Sequence, residues 1–472
     1  MTMANDHAVT RRLRTCGIAG LLALSSNAVF ASSFALIEQS VSGMGSAYAI
    51  GSAGIDDAST LYFNPATMSR LAGSNLTGGL QIVNSRTDFK GSAEYNTNNA
   101  VNAATGLAGQ PISGDSKSNL DLTAAVPMGA ISHQLSDKTW LGLTINAPFG
   151  LKTDYDNDWV GRYNAIKSEL LTYNFNPSIA FKVNEHATIG VGVSALYADG
   201  ELTNAVDVGL GDFLGAVTAM PPGAPNLPWY PDAVGTGNFD SKAKLTGNDW
   251  GWGYNVGFML EPSDNTRLGL HYRSSVELTL DGDVKISGPY LNQKQDAKLT
   301  IQLPDSLSIS GYHAINSKWA IMADYTWTQW SRIKTLDIKL EDGSRSEAKW
   351  NYDDSSRYSI GTEYTHNNKW KYRAGLALDQ TPVPDDSDRS PRVPDADRTW
   401  LTLGLTYSHT RNLSFDLGYA HLFVDDPELD DVSDNNDPTQ PFPAGLTGFH
   451  SVSGSYDSAV DIFGAQVNWR FN

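Results

Sequence analysis

The chain contains one cysteine, Cys16, and beyond its opening segment it has no apolar run long enough to cross a bilayer as a helix. A lone cysteine excludes a disulfide framework. Basic residues are scarce: 34 Lys and Arg stand against 52 Asp and Glu, for a formal net charge of -18. Such a chain is a poor partner for nucleic acid, whose binding rests on Lys and Arg neutralising phosphates. Histidines are few and scattered: His133, His186, His271, His313, His366, His409, His421 and His450 show no metal-ligand spacing. The chain also lacks a nucleophile elbow. Neither a metal, a cofactor nor enzyme chemistry is expected, although a Ser and His pair meeting across strands would leave no local signature.

What is present is alternation. Ile189, Val191, Val193, Ala195 and Tyr197 share one side of a strand, with Thr188, Gly190, Gly192 and Ser194 on the other. Trp250, Trp252, Tyr254, Val256, Phe258 and Leu260 repeat the pattern against Gly251, Gly253, Asn255 and Gly257, as do Leu401 to Ser408 and Leu413 to Tyr419. Soluble sandwiches alternate too, but in strands averaging about five or six residues. The segments here are longer, and fourteen of them run from about Ser74 to Asn472.

Their connections alternate as well. Tight polar turns at Ser136 to Lys138, Asn184 to His186, Pro262 to Asn265, Ile315 to Ser317, Asn367 to Asn368 and Thr410 to Asn412 separate longer stretches. The longer stretches lie around 85–119, 150–168, 200–241, 287–296, 341–347, 379–396 and 425–456. This is the pattern of an all-β fold, a fourteen-stranded antiparallel transmembrane β-barrel, with short turns in the periplasm and long loops outside. Trp140, Trp319, Trp370 and Trp469, next to short turns or the chain end, are expected in an aromatic girdle.

The start differs. Arg11, Arg12 and Arg14 precede the apolar run Cys16 to Leu24, and Val29, Phe30 and Ala31 offer small-residue cleavage before Ser32. Residues 1–31 therefore read as a secretory signal peptide that takes Cys16 with it. The expected destination is the bacterial outer membrane, where lipid and lipopolysaccharide are the surroundings. Acid gathers in the last long loop, at Asp425, Asp426, Glu428, Asp430, Asp431, Asp434 and Asp437. It is either a solvated loop or one that shares divalent cations with lipopolysaccharide.

Residues 32–73 do not alternate. Small residues around Ser42 to Gly54 lead to Asp56, Asp57 and then Leu61, Tyr62, Phe63, Asn64, Pro65 and Ala66. Their apolar content argues for a place inside the lumen as an N-terminal hatch, or plug, ahead of a barrel at 74–472. This segment resembles the hatch of the FadL-type outer-membrane transporters of long-chain fatty acids and related hydrocarbons. The resemblance continues in Leu245 to Gly257, Leu303 to Tyr312, Tyr325 to Ser331, Thr381 to Pro384 and Pro394 to Trp400.

The resemblance implies capture of ligand at the outer loops, a gate formed by the hatch (Phe34, Asn64, Pro65, Ala66), and lateral exit where the third strand is kinked. In this chain Pro148, Phe149 and Gly150 stand there: proline cannot donate to the ladder and glycine permits a bend. Read alone, those residues fit equally the simple end of a strand. Leu210, Phe213, Leu214 and Val217 in the third long loop form either a capture groove or a self-packed cap. Strand parity turns Arg273, Arg357, Arg373, Arg398 and Arg470 inward with Asp324, Glu363 and Asp416; Arg357 and Arg398 are the candidates for a carboxylate head. The basic positions of the fatty-acid members are replaced near Asn204 and Asp337, which favours a neutral hydrocarbon. The alternatives are uptake of aromatic or aliphatic hydrocarbons, and an outer-membrane lipid-acting enzyme.

Overall fold

The computed structural model describes residues 33–210, 235–238, 240–288, 291–432 and 449–471. The fourteen wall strands are β1 (Ser74–Tyr95), β2 (Leu122–Ser136), β3 (Thr139–Asn146), β4 (Lys167–Lys182), β5 (Ala187–Val206), β6 (Ser241–Ser263) and β7 (Thr266–Arg273), followed by β8 (Ser306–Ala314), β9 (Trp319–Thr328), β10 (Ser355–Thr365), β11 (Trp370–Asp379), β12 (Arg398–Ser408), β13 (Leu413–Val424) and β14 (His450–Phe471). Neighbours pair antiparallel, and β14 closes on β1 from Ser74↔Phe471 to Tyr95↔His450. The barrel has no free edge over that seam, which removes the unpaired backbone that lipid cannot satisfy.

Turn chemistry sets the short connections. Asn184 Oδ1 accepts from His186 N at 2.8 Å, Asn316 Oδ1 from Lys318 N at 2.9 Å and Asn367 Oδ1 from Lys369 N at 2.8 Å. In each, the side chain stands in for a backbone acceptor and reverses the chain.

The wall is inverted relative to a soluble protein. Val193 is 52% exposed and Trp252 69%, whereas Ser194 and Thr402 are buried. The outward apolar residues are those that alternation assigns to lipid. Trp319 and Trp469 lie half exposed beside short turns, as a girdle requires. Trp140 does not. It sits one position out of phase with the outward Leu141, is 3% exposed, and donates from Nε1 to Leu71 O at 2.9 Å. Nearness to a turn did not decide its face; parity did.

Two of the long stretches begin later than the alternation indicates, because β1 runs to Tyr95 and β5 to Val206. Phe89, Ala93 and Tyr95 continue the period there, packed with Tyr155, Trp159 and Tyr456 into an outer apolar cluster. Four wall strands also resume beyond short breaks, as Val276–Ser287, Gln293–Leu303, Thr335–Leu340 and Arg345–Lys349. Val276↔Leu303 keeps the register of Arg273↔Ser306, so β7 and β8 continue as one long ribbon past Pro304. Above the breaks the buried side chains change from polar to apolar: Leu278, Leu280, Leu299, Ile301 and Leu303 join Phe34 and Trp330.

Residues 33–73 form short turns of helix, α1 (Val41–Met44) and α2 (Thr60–Phe63), and 3-10 turns at Gly51–Ala53 and Pro65–Arg70. Most of this segment is buried against the inward face of the wall. Wall glycines make room for it. A Cβ on Gly375 would lie 2.3 Å from Ser46 C, and one on Gly190 2.4 Å from Ala66 N. The inward glycines of the strands are therefore places of close backbone approach.

Candidate functional site

The third strand is interrupted where Pro148 withholds an N–H. β3 pairs with β2 up to Gly129↔Ile145 and with β4 up to Asn146↔Asn174. The chain then resumes as Gly150–Asp154, paired with β4 at Gly150↔Leu171 and not with β2. The upper part of β2, Leu122–Met128, thus has β1 as its ladder partner on one side and, among the described residues, no partner strand on the other.

The amino-terminal segment covers this break. Leu36 N donates to Pro148 O and Gly150 N to Phe34 O, both at 2.8 Å, and Ala35 bridges Phe149. Gln39 Nε2 donates to Ala147 O at 2.8 Å. Backbone groups that an unbroken strand would have used are satisfied by three consecutive residues of another segment. These hydrogen bonds seal the break with a segment far from it in sequence.

Phe34 is the side chain at that seal. Its ring meets Trp330 edge-on at 4.8 Å and lies 6.2 Å from Phe149 and 6.3 Å from Trp350. Above it lies an apolar cavity of about 40 Å³ lined by Phe34, Leu151, Leu170, Leu280 and Ile301. That cavity shares Leu202, Leu245, Leu336 and Trp350 with an outer cavity of about 270 Å³. Below the ring, a cavity of about 130 Å³ is lined by Ala35, Leu36, Pro148, Phe149, Tyr62 and Arg357. Phe34 lines the apolar cavity above, and the next two residues, Ala35 and Leu36, line the one below together with Pro148 and Phe149.

Arg357 and Arg398 have different surroundings. Arg357 donates from Nη2 to Ala47 O at 3.0 Å, at a left-handed turn where Ala47 and Tyr48 have φ of 50° and 57°. Its Nε and Nη1 are buried without partners, and its guanidinium lies 5.2 Å from the Trp400 ring. Arg398 instead faces Asp395 at 3.2 Å and Asp379 at 3.7 Å. Arg398 Nε and Nη2 also lack hydrogen bonds, but its guanidinium is ion-paired, whereas Arg357 has no ion pair among the described residues. Arg273, also on the cavity, is turned to Tyr62: it lies over the ring at 4.4 Å and donates to the carbonyl at 2.7 Å.

Asn64, Pro65 and Ala66 lie at the far end of the segment. Asn64 Oδ1 caps the following 3-10 turn through Ala66 N at 2.9 Å, and Nδ2 donates to Ser52 O at 2.7 Å and to Phe258 O at 3.0 Å. One side chain ties segment to wall. Nearby, Asp56 meets Lys371 at 3.2 Å, Arg267 at 3.5 Å and Arg70 at 3.9 Å. Between these two ends, Glu38 is 1% exposed and burial pushes its carboxyl up to about 7. The motif reading missed Glu38 and Gln39 and placed Trp140 on the wrong face; for Glu38 the signal was a carboxylate in an otherwise apolar entry (Phe34 to Ile37).

Of the proposed groove residues, Leu210 is fully buried among Tyr95, Tyr163 and Phe449. Phe213, Leu214 and Val217 lie outside the described residues. Among the described residues, no group of His, Cys, Asp and Glu is arranged to hold a metal.

The family profile described as outer membrane protein transport protein (OMPP1/FadL/TodX) matches residues 22–471. Outer membrane protein P1 of Haemophilus influenzae is 31% identical over 96% of this chain and 98% of its own length. A long-chain fatty acid transport protein of Escherichia coli is 31% identical over 86% of this chain and 90% of its own. Among solved structures, a Pseudomonas aeruginosa FadL homologue superposes with a TM-score of 0.80 at 22% identity, covering 93% of this chain and all of that one. The toluene transporter TodX of Pseudomonas putida gives 0.63 at 18% identity, covering 89% of this chain and 95% of that one. With a closed barrel, a broken third strand and a match along nearly its whole length, the chain belongs to the outer membrane protein transport protein family, and it is an outer-membrane protein.

Proposed function

We propose that this chain moves long-chain fatty acids or similar hydrophobic compounds inward by capture at the outer cavity, release of the Phe34 seal and lateral exit at Pro148 to Gly150. The observation that carries the reading is the Phe34–Leu36 segment bonded into the break in the wall, with apolar space on its outer side. In this reading residues 1–31 are the signal peptide, 32–73 the hatch and 74–472 the barrel. Asn64, Pro65 and Ala66 are the anchor about which the hatch moves. Capture is assigned to the third long loop, with Leu210, Phe213, Leu214 and Val217 as the residues to test. The acidic last loop is a solvated loop or one that shares divalent cations with lipopolysaccharide, and the chain performs no covalent chemistry on its cargo.

Energetics favour the tail over the head. Burying an acyl chain contributes about 0.8 kcal/mol per methylene, so sixteen or so give an upper limit of roughly 13 kcal/mol. A charge-assisted hydrogen bond from Arg357 adds about 1.5 to 3 kcal/mol. Affinity is therefore expected to climb with chain length and to fall modestly when a carboxylate becomes an alcohol. A calorimetric series over chain length and head group, with mass spectrometry of ligands retained by the purified protein, tests this. Affinity indifferent to length, or confined to small aromatic rings, would sink the fatty-acid reading and support aromatic-hydrocarbon uptake.

A further inference from the structure

Beside the break in the wall lies a set of buried polar groups that the seal does not use. Asn146, the last residue of β3, accepts at Oδ1 from Asn174 Nδ2 at 3.0 Å across the β3–β4 ladder. That leaves Asn146 Nδ2 and Asn174 Oδ1 without partners. Gln39, held to Ala147 O and Leu36 O by its Nε2, has an unpartnered Oε1. Thr144, two residues below Asn146 on the same face, has an unpartnered Oγ1. All four are at least nine-tenths buried, with exposures from 0 to 4%. Exchanging oxygen and nitrogen in both asparagine amides together keeps their mutual bond and still leaves one donor group and one acceptor unspent. Native interiors rarely leave such atoms unpaired, and each exception asks for an explanation, a bound polar group among them.

We infer that Gln39, Thr144, Asn146 and Asn174 form a subsite for an uncharged, hydrogen-bonding head group, so that cargo crosses the wall as an alcohol or a protonated acid and not as an anion. This rests on the lateral-exit reading above and names the cargo it passes. The inventory is mixed: two carbonyl acceptors, an amide donor group and a hydroxyl that does either. A hydroxyl or a protonated carboxyl, which both donates and accepts, meets that set. An anion is acceptor-only and would face two carbonyl oxygens with no cation among the four residues. The destination imposes the same sign, because moving an ionised group into hydrocarbon costs far more than moving its neutral form. Arg357 receives the head in the cavity below Phe34; the neutral subsite hands it to the bilayer.

The test uses the full-length barrel in proteoliposomes with three sixteen-carbon probes: hexadecane, hexadecanol and hexadecanesulfonate. Binding to the purified protein and delivery into the bilayer are measured separately. The expected result is that the sulfonate binds but is delivered at least ten-fold more slowly than the alcohol. In Asn146→Leu with Asn174→Leu, the alcohol-to-alkane delivery ratio should fall at least ten-fold, and Gln39→Leu, which changes no wall residue but removes the bond to Ala147 O, should lower it in the same direction. Asn146→Gln should restore part of the ratio. Sulfonate delivered as fast as alcohol, or an unchanged ratio in Gln39→Leu, would overturn the subsite while leaving lateral exit standing. Binding of all three probes without delivery of any would overturn lateral exit itself, and the subsite with it.

Discussion

Replacing Glu38 by Gln should abolish a pH dependence in how firmly the amino-terminal segment is seated. In the closed form the carboxyl is buried, and burial raises it from 4.5 to about 7, partly offset by its own backbone N–H and by Arg398 and Arg357, with Asp379 acting in the opposite sense. Tyr48 and Tyr62 are the phenols coupled to it, and both are pushed up chiefly by their own burial. The seated state therefore favours the protonated carboxyl. Its contribution is complete below about pH 4.5, declines as the pH rises, and is gone above about 7. The full span is about 3 kcal/mol, and between pH 5 and 8 about 2.5 kcal/mol is lost, roughly a fifty-fold change in the population of any state that returns this side chain to water. A single cysteine at Ser33, buried at the start of the segment, reports that population by its labelling rate in outer-membrane vesicles. Dividing by the rate of a cysteine at the exposed Ser317 removes the titration of the thiol. The ratio should rise roughly fifty-fold from pH 5 to pH 8 and stay flat in Glu38→Gln. Equal slopes in the two proteins would refute the reasoning.

Other consequences can be checked with single changes. Ser52 and Ser310 hydroxyls lie 2.8 Å apart across segment and wall, so cysteines there, once oxidised, should stop uptake and spare binding; normal uptake by the cross-linked form would remove the hatch from the mechanism. Pro148→Thr with Gly150→Val should let β3 pair through the break and slow transport in a barrel that still shows heat-modifiable migration; transport at the parental rate would place the exit elsewhere. Arg357→Ala should weaken fatty-acid binding by about 1.5 to 3 kcal/mol and alkane binding hardly at all, whereas Arg398→Ala, which removes the guanidinium between the buried Asp379 and Asp395, should lower the unfolding temperature. Trp140→Phe strands the Leu71 carbonyl at a cost of about 1 to 3 kcal/mol, measurable by denaturant titration.

The wall was legible because a single period governs it. From Ile189 to Tyr197 every second residue is apolar, and the bilayer leaves no other place for them. The Asn-led turns at Asn184, Asn316 and Asn367 were legible because one side chain supplies the reversal. What hid was whatever depends on a partner distant in sequence. Pro148 announces an interrupted ladder, but nothing in its neighbourhood says that Phe34 and Leu36 supply the missing bonds. The choice between Arg357 and Arg398 rests on Asp379 and Asp395, which parity alone does not bring to one of them. The apolar stretch above the breaks reads as loop in part because alternation with a different inward chemistry no longer signals lipid outside.

The ribbons above those breaks set how far the protein stands off the membrane. At about 3.3 Å per residue, a strand such as β14 of 22 residues extends roughly 70 Å along its own axis, and even with the usual tilt it overtops an apolar band about 25 Å tall. The excess is a collar beyond the apolar band, and in the proposed reading it stands where hydrated sugars would otherwise turn greasy solutes away. A compound that enters the collar meets leucine and isoleucine where it would otherwise meet carbohydrate, and if it leaves through the side of the barrel it reaches the bilayer without having dissolved in the sugar at all.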